Sequence, residues 1–166
     1  ARFGESLIVG WTSSGMHWID LTATDPETWP VTPSGERIEE SAYLRAAWAR
    51  QSIDFIADHP LGIGFGHDAF GRAIELKHAH AGMGSSHSSW LDFALGTGLP
   101  GLGLLLVTGI VAVRSAWIRF REQQDGEALL LGFLVGGYLL RCLLDGHFSG
   151  WRLGLFSFLT GILLAS

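Results

Sequence analysis

Cysteine is nearly absent: Cys142 stands alone in 166 residues. One thiol closes no internal disulfide, so a stapled small fold is excluded and the redox compartment goes unread. Basic residues are scarce at the front. Residues 1–92 hold twelve Asp/Glu against six Lys/Arg, a net of −6, which excludes the basic footprint of a nucleic-acid binder. The opening Ala1-Arg2-Phe3-Gly4 leads into no charged start, apolar middle and small-residue cleavage site. Residues 1–97 also lack a membrane-spanning run, whereas the rest is rich in apolar stretches. The expectation is a piece of a longer chain whose earlier spans lie upstream.

The oily part is where the composition is unusual. Hydrophobic residues make up 48% of the chain, and residues 93–166 carry four acids and five arginines, a net of +1. From Leu102 to Val113 there is no charge until Arg114. Pro100 suits the first turn of a helix, and Gly96-Thr97-Gly98 before it breaks whatever precedes. A span over 100–118 has 19 residues, about 28 Å at 1.5 Å per residue, close to a bilayer core of ~30 Å. Arg114 lies near its end and can snorkel outward. Further spans are expected over 128–144 and 153–165. The loop between the first two holds Arg114, Arg119 and Arg121, so the positive-inside rule makes it cytoplasmic. Residues 1–97 and the turn from Asp145 to Arg152 then face the other side.

The fold expected is an all-α membrane protein in two parts. Residues 1–97 form an irregular, partly helical loop region ending in a short interfacial helix, and 98–166 form the membrane region. Within the first part, residues 1–35 show little periodicity, with Leu7-Ile8-Val9 a short apolar run between Gly4 and Gly10. Trp11, Trp18 and Trp29 either sit at headgroup level or pack that loop. A helix is expected over 36–58, with Ser34 as N-cap, early glutamates favoured by the positive helix end, and Pro60 as the stop. Leu44, Trp48, Phe55 and Ile56 fall near one side of it, and Arg50 pairs with Asp54 at i,i+4. The alternate glycines of His59-Pro60-Leu61-Gly62-Ile63-Gly64 allow close backbone approach to another segment or to a phosphate. Without a P-loop lysine, a compact turn is the better reading. Ser85 or Ser86 can cap a short helix beginning near His87.

Among chemistry-bearing residues, His67, Asp68, His78, His80 and His87 offer neither an i,i+4 histidine pair on a helix nor cysteine ligands, so no metal is expected. His87 just outside the apolar run is a proton-transfer group where membrane meets water. At a helix N-terminus the dipole disfavours imidazolium, leaving a base. Its structural alternative is a hydrogen-bonded interface residue. Arg141, in the second span, costs at least ~2.5–3.5 kcal/mol at mid-membrane and less near the interface. It is either a snorkelling anchor paired with Asp145, or a cation facing a polar pocket level with His87. A base and several arginines at an outer membrane surface suit a lipid with a phosphate head, since guanidinium binds phosphate through a planar fork of donors.

His87-Ser88, nine residues, Gly98, two residues and Gly101 together resemble the His-[Asn/Ser/Gln]-x9-Gly-x-x-[Gly/Thr/Tyr] signature of the O-antigen ligase family, which includes O-antigen polymerases and O-linked oligosaccharyltransferases. Arg45 shortly before Trp48, then His59-Pro60-Leu61-Gly62-Ile63-Gly64 leading to Phe70, is similar to the family's upstream pattern. So is the Asp145 turn before a last span containing Gly161. The likeness covers residues 40–166 and implies a fragment of a GT-C-type multi-span bundle in the bacterial inner membrane. It implies metal-independent, cofactor-free, inverting transfer of a glycan from undecaprenyl pyrophosphate to a glycan, lipid or protein hydroxyl on the periplasmic face. His87 would then be the base and Arg45 the loop arginine on the pyrophosphate. Arg141 matches no motif and stands on the charge argument alone. Family members carry further spans with other phosphate-binding arginines, which this sequence lacks. The alternatives are a non-enzymatic membrane subunit for polysaccharide assembly or export, and an intramembrane metal hydrolase.

Overall fold

A computed structural model of the chain describes residues 2–13, 29–64, 69–77, 86–146 and 150–165. These residues form helices joined by turns and one isolated bridge, Val31 with Arg37; they contain no strand.

The first helix, α1 (Arg2–Thr12), was not expected, because Gly4 and Gly10 read as boundaries of a short apolar run. Gly10 is instead the point of closest packing. A Cβ there would stand 2.9 Å from the Tyr43 carbonyl carbon, so only glycine lets α1 lie against α2 (Glu40–Asp58). One turn earlier, Ser6 accepts a hydrogen bond from the Glu39 amide at 2.8 Å. Small residues at i and i+4 thus make the contact face.

Helix α2 begins at Glu40 rather than residue 36, and its cap is Glu39 rather than Ser34. The Glu39 carboxylate accepts from the Ser41 hydroxyl and the Ala42 amide, both at 2.8 Å, and these bonds hold it below the usual carboxylate range. Ser34 is occupied elsewhere, donating its hydroxyl to Glu5 at 2.6 Å from the turn closed by Val31 and Arg37. The helix stops at Asp58, ahead of Pro60, and Arg50 bonds Asp54 at 3.2 Å as the spacing predicts. Leu44, Trp48, Phe55 and Ile56 are buried together with Phe70 and Ile74 of α3 (Ala69–Lys77). Ala94 and Leu95 complete this cluster. The described residues of the front part are therefore largely helical and packed around a core.

The longest element, α4 (Ser89–Gln123), holds 35 residues and is interrupted at Gly98, with φ 75° and ψ −178°. It starts at Ser89 with Ser88 in the N-cap position, two residues later than expected, and runs five residues past Ile118. Trp90 and Gly109 would lie ~28 Å apart on a straight helix. Both reach Leu139: the Trp90 indole donates to its carbonyl at 2.9 Å, and its side chain fills the space beside Gly109. The segment before Gly98 is therefore folded back beside the segment after it.

Helix α5 (Gly126–Cys142) runs antiparallel to α4, with Gly132 against Ala116, Gly136 against Val113 and Leu139 against Gly109. Asp125 caps it, accepting from the Ala128 amide at 3.0 Å and from Arg119 at 2.7 Å. Those bonds, the Ala128 amide's above all, hold its carboxyl below the usual carboxylate range. Helix α6 (Gly150–Ala165) packs on α5. The bounds of α5 and α6 thus shift from the expected 128–144 and 153–165.

Among the described residues, α4 is the helix long and apolar enough to cross a membrane, and only 17% of its most apolar window is buried. Most of that window is therefore exposed on this chain. Leu104, Ile110, Phe133, Leu140 and Phe158 are each more than 60% exposed, so the apolar surface continues over α5 and α6. Contiguous exposure of that kind marks a lipid or protein contact face.

Candidate functional site

Two glycine motifs from distant parts of the sequence meet at the break in α4. A broken helix leaves backbone carbonyls at the end of one segment and amides at the start of the next without partners. The turn after α2 supplies them. Ile63 and Gly64 amides donate to the Leu95 and Gly96 carbonyls at 2.9 and 3.1 Å, and the Leu99 amide donates to the Pro60 carbonyl at 2.8 Å. The contact is so close that a Cβ on Gly62 would lie 2.5 Å from the Gly98 nitrogen, and both residues have positive φ. Gly101 leaves room for the Thr97 side chain. Of the two readings of the alternate glycines, the backbone takes the approach to another segment. Gly98 and Gly101 accordingly act on the chain path.

That welded turn fixes the start of α4 against α2. His87 does not open the helix; it lies between two buried serines, ahead of the N-cap, in the left-handed conformation with φ 58°. The reason is local. The Ser86 amide donates to Asp92 at 3.1 Å, the Ser86 hydroxyl donates to the Ser88 carbonyl at 3.2 Å, and the Ser88 amide donates back to that hydroxyl at 3.3 Å. With both neighbours pinned inward, the intervening side chain is thrust out, and His87 is exposed. Its ring stacks on buried Trp48 of α2, centroids 5.0 Å apart and planes 16° from parallel. The helix-dipole argument placed the imidazole on the first turn; the structure supports it from an indole instead.

Arg45 lies one helical turn before Trp48 on α2. It donates to the Leu144 carbonyl at 3.0 Å. The next residue, Asp145, accepts through its main-chain carbonyl from the Ser89 hydroxyl at 3.0 Å and the Ser89 amide at 3.4 Å. Its carboxylate takes the Gly146 amide at 2.8 Å and stands 3.9 Å from both Arg141 and Arg152. One turn thus gathers arginines from α2, α5 and α6 beside the start of α4. Arg141 pairs with Asp145 as its spacing predicts and is 64% exposed at its side chain. Arg152 was missed by sequence reasoning. Its position in the first turn of the last helix, at the same end as Asp145, was the available signal.

Two guanidinium groups thus stand by the Asp145 carboxylate and a third on the neighbouring Leu144 carbonyl, a grouping of planar donor forks of the kind that binds phosphate. A cavity of about 450 Å³ lies along α4, lined by Leu106, Gly109, Ile110, Val113, Trp117 and Leu139 among others; neither His87 nor Arg45 lines it. Among the described residues no group of three histidines, cysteines or carboxylates could hold a metal ion. His67, Asp68, His78, His80, Trp18 and Ser85 lie outside the described residues. Comparison with protein-family models, curated proteins and solved structures finds no match to the chain.

Proposed function

We propose that the chain is the C-terminal portion of an O-antigen ligase-like glycosyltransferase of the bacterial inner membrane. In this reading α4, α5 and α6 all cross the bilayer as part of a multi-span GT-C-type bundle, with residues 1–97 entering from the periplasmic side and ending in the short segment that folds back beside the span. The single observation that carries it is the shared helix: α2 holds Trp48 under the His87 ring and sends Arg45 to the turn where Arg141 and Arg152 gather. A base and a cationic cluster are then fixed by one rigid element.

The chemistry follows from those groups. His87 removes the proton of an acceptor hydroxyl, and the oxygen forms a bond to the anomeric carbon of a glycan carried on undecaprenyl pyrophosphate. The bond from that carbon to the pyrophosphate oxygen breaks, the electron pair leaves with the lipid diphosphate, and the anomeric centre inverts. Arg45, with Arg141 and Arg152, holds the diphosphate and takes up its growing charge; such electrostatic stabilisation is usually the largest catalytic contribution. The exposed side chain of His87 faces an incoming hydroxyl in this reading, whether of lipid, glycan or protein.

In the full-length protein, His87→Ala should abolish glycan transfer from a lipid-diphosphate donor while membrane insertion and expression persist. Arg45→Ala should lower product at limiting donor, and Arg45→Lys should restore only part, because a point charge replaces a fork. A scaffold subunit tolerates both alanine changes, and full transfer in His87→Ala would overturn the assignment.

A further inference from the structure

The groove along α4 has features that the proposed transfer site does not use. Its floor is the α4 face carrying Leu106, Ile110, Val113 and Trp117, walled by Leu139 of α5. Leu139 occupies the space beside Gly109 on that face. Trp90, from the folded-back segment, stands at one end with its indole held by the Leu139 carbonyl at 2.9 Å. Arg114 and Trp117 stand at the other end.

Length decides what fits. From Leu106 to Trp117 the helix rises about 17 Å, close to half of a ~30 Å hydrocarbon core. The groove is therefore one leaflet deep. Charge decides the rest. Arg114 is the first charged residue after a run of apolar ones, and among the described residues it has no carboxylate partner, whereas Arg119 is paired with Asp125 at 2.7 Å. A guanidinium near the end of a span reaches the headgroup level by snorkelling, and a basic pocket between spans on the cytoplasmic side suits an anionic lipid headgroup. Trp117, 52% exposed, sits where an interfacial tryptophan is favoured.

We infer that this groove is a binding site for an anionic phospholipid of the cytoplasmic leaflet, its phosphate on Arg114 and one acyl chain running along Ile110 to Trp90. The site rests on the membrane placement in the proposed function, and not on the catalytic assignment of His87.

The test replaces Ile110, 64% exposed, with a photo-crosslinking phenylalanine in the full-length protein. The protein is reconstituted in vesicles of phosphatidylcholine with a minority of phosphatidylglycerol, and the adducts are identified by mass spectrometry. Expected is an enrichment of phosphatidylglycerol over its bulk share by about fivefold, the preference one arginine gives near an anionic surface. Arg114→Gln should return the adducts to the bulk ratio, and Arg119→Gln should leave the enrichment intact. Adducts at the bulk ratio in the wild type, or enrichment that survives Arg114→Gln, would overturn the site. Adducts to polypeptide in place of lipid would overturn it in favour of a covering helix. Extraction of the protein by alkaline carbonate would instead refute the membrane placement itself, and glycan transfer by the same preparation reports separately on His87.

Discussion

Replacing Gly98 with alanine tests whether the break in α4 depends on backbone contact. At φ 75° and ψ −178° the residue occupies a region that side chains avoid, at a cost of about 1–3 kcal/mol. The added methyl would also stand 2.6 Å from the Pro60 carbonyl oxygen and 2.7 Å from the Leu61 Cα. Backbone atoms cannot swing aside as a side-chain end can, so relief means moving the turn and stretching the Leu99-to-Pro60 hydrogen bond; overpacking of this kind costs about 1–3 kcal/mol more. The total, about 2–6 kcal/mol, is a large share of the ~5–15 kcal/mol that holds a typical domain. At ~2–4 °C per kcal/mol for a chain of this size, the melting temperature should fall by roughly 4–24 °C. Circular dichroism of the detergent-solubilised protein gives the readout. Gly103→Ala is the control, because a Cβ there meets nothing within 4 Å, and alanine in an open helical position should be neutral or slightly stabilising. If Gly98→Ala melts with the wild type, the close-contact argument is wrong.

Two further outcomes follow from the same contacts. Glu39 has its folded pKa lowered by bonds from Ser41 and then Ala42, so its contribution to stability is complete above the ordinary pKa of 4.5 and is lost as pH falls through the lowered value. A melting series from pH 6 to pH 3 should show that loss, and Glu39→Gln should flatten it; an unchanged slope would remove Glu39 as its source. On the proposed function, Trp48→Leu should leave the His87 ring unsupported and cut glycan transfer mainly through kcat, with Trp48→Phe restoring much of it through a smaller ring. Equal activity in the leucine and phenylalanine variants would show that stacking has no part in positioning the imidazole.

Much of the architecture was legible because long apolar runs and proline carry unambiguous physical signals. The run after Pro100, the stop before Pro60 and the Arg50 pair each depend on neighbours in sequence, and each is where spacing put it. The failures have a common cause. Helix α1 was hidden because Gly10 is demanded by the Tyr43 backbone, a tertiary contact that local propensity does not report. Ser34 carried a cap signal but is claimed by Glu5, a partner 29 residues away that no local pattern names. For the candidate site, His87 and Arg141 stood out by residue type and by their places beside apolar runs, and Arg45 by its likeness to a family pattern. The support of His87 by Trp48 and the approach of Arg152 to Asp145 required the folded chain.

The turn at residues 60–64 precedes in sequence the two helix ends that it satisfies. During synthesis it leaves the ribosome first, so a ready-made surface of donors and an acceptor awaits residues 95–99 when they emerge. The sharp reversal of α4 need not be discovered by the apolar segment alone. It can be imprinted by a polypeptide already made, and the order of translation becomes part of how the bend is chosen.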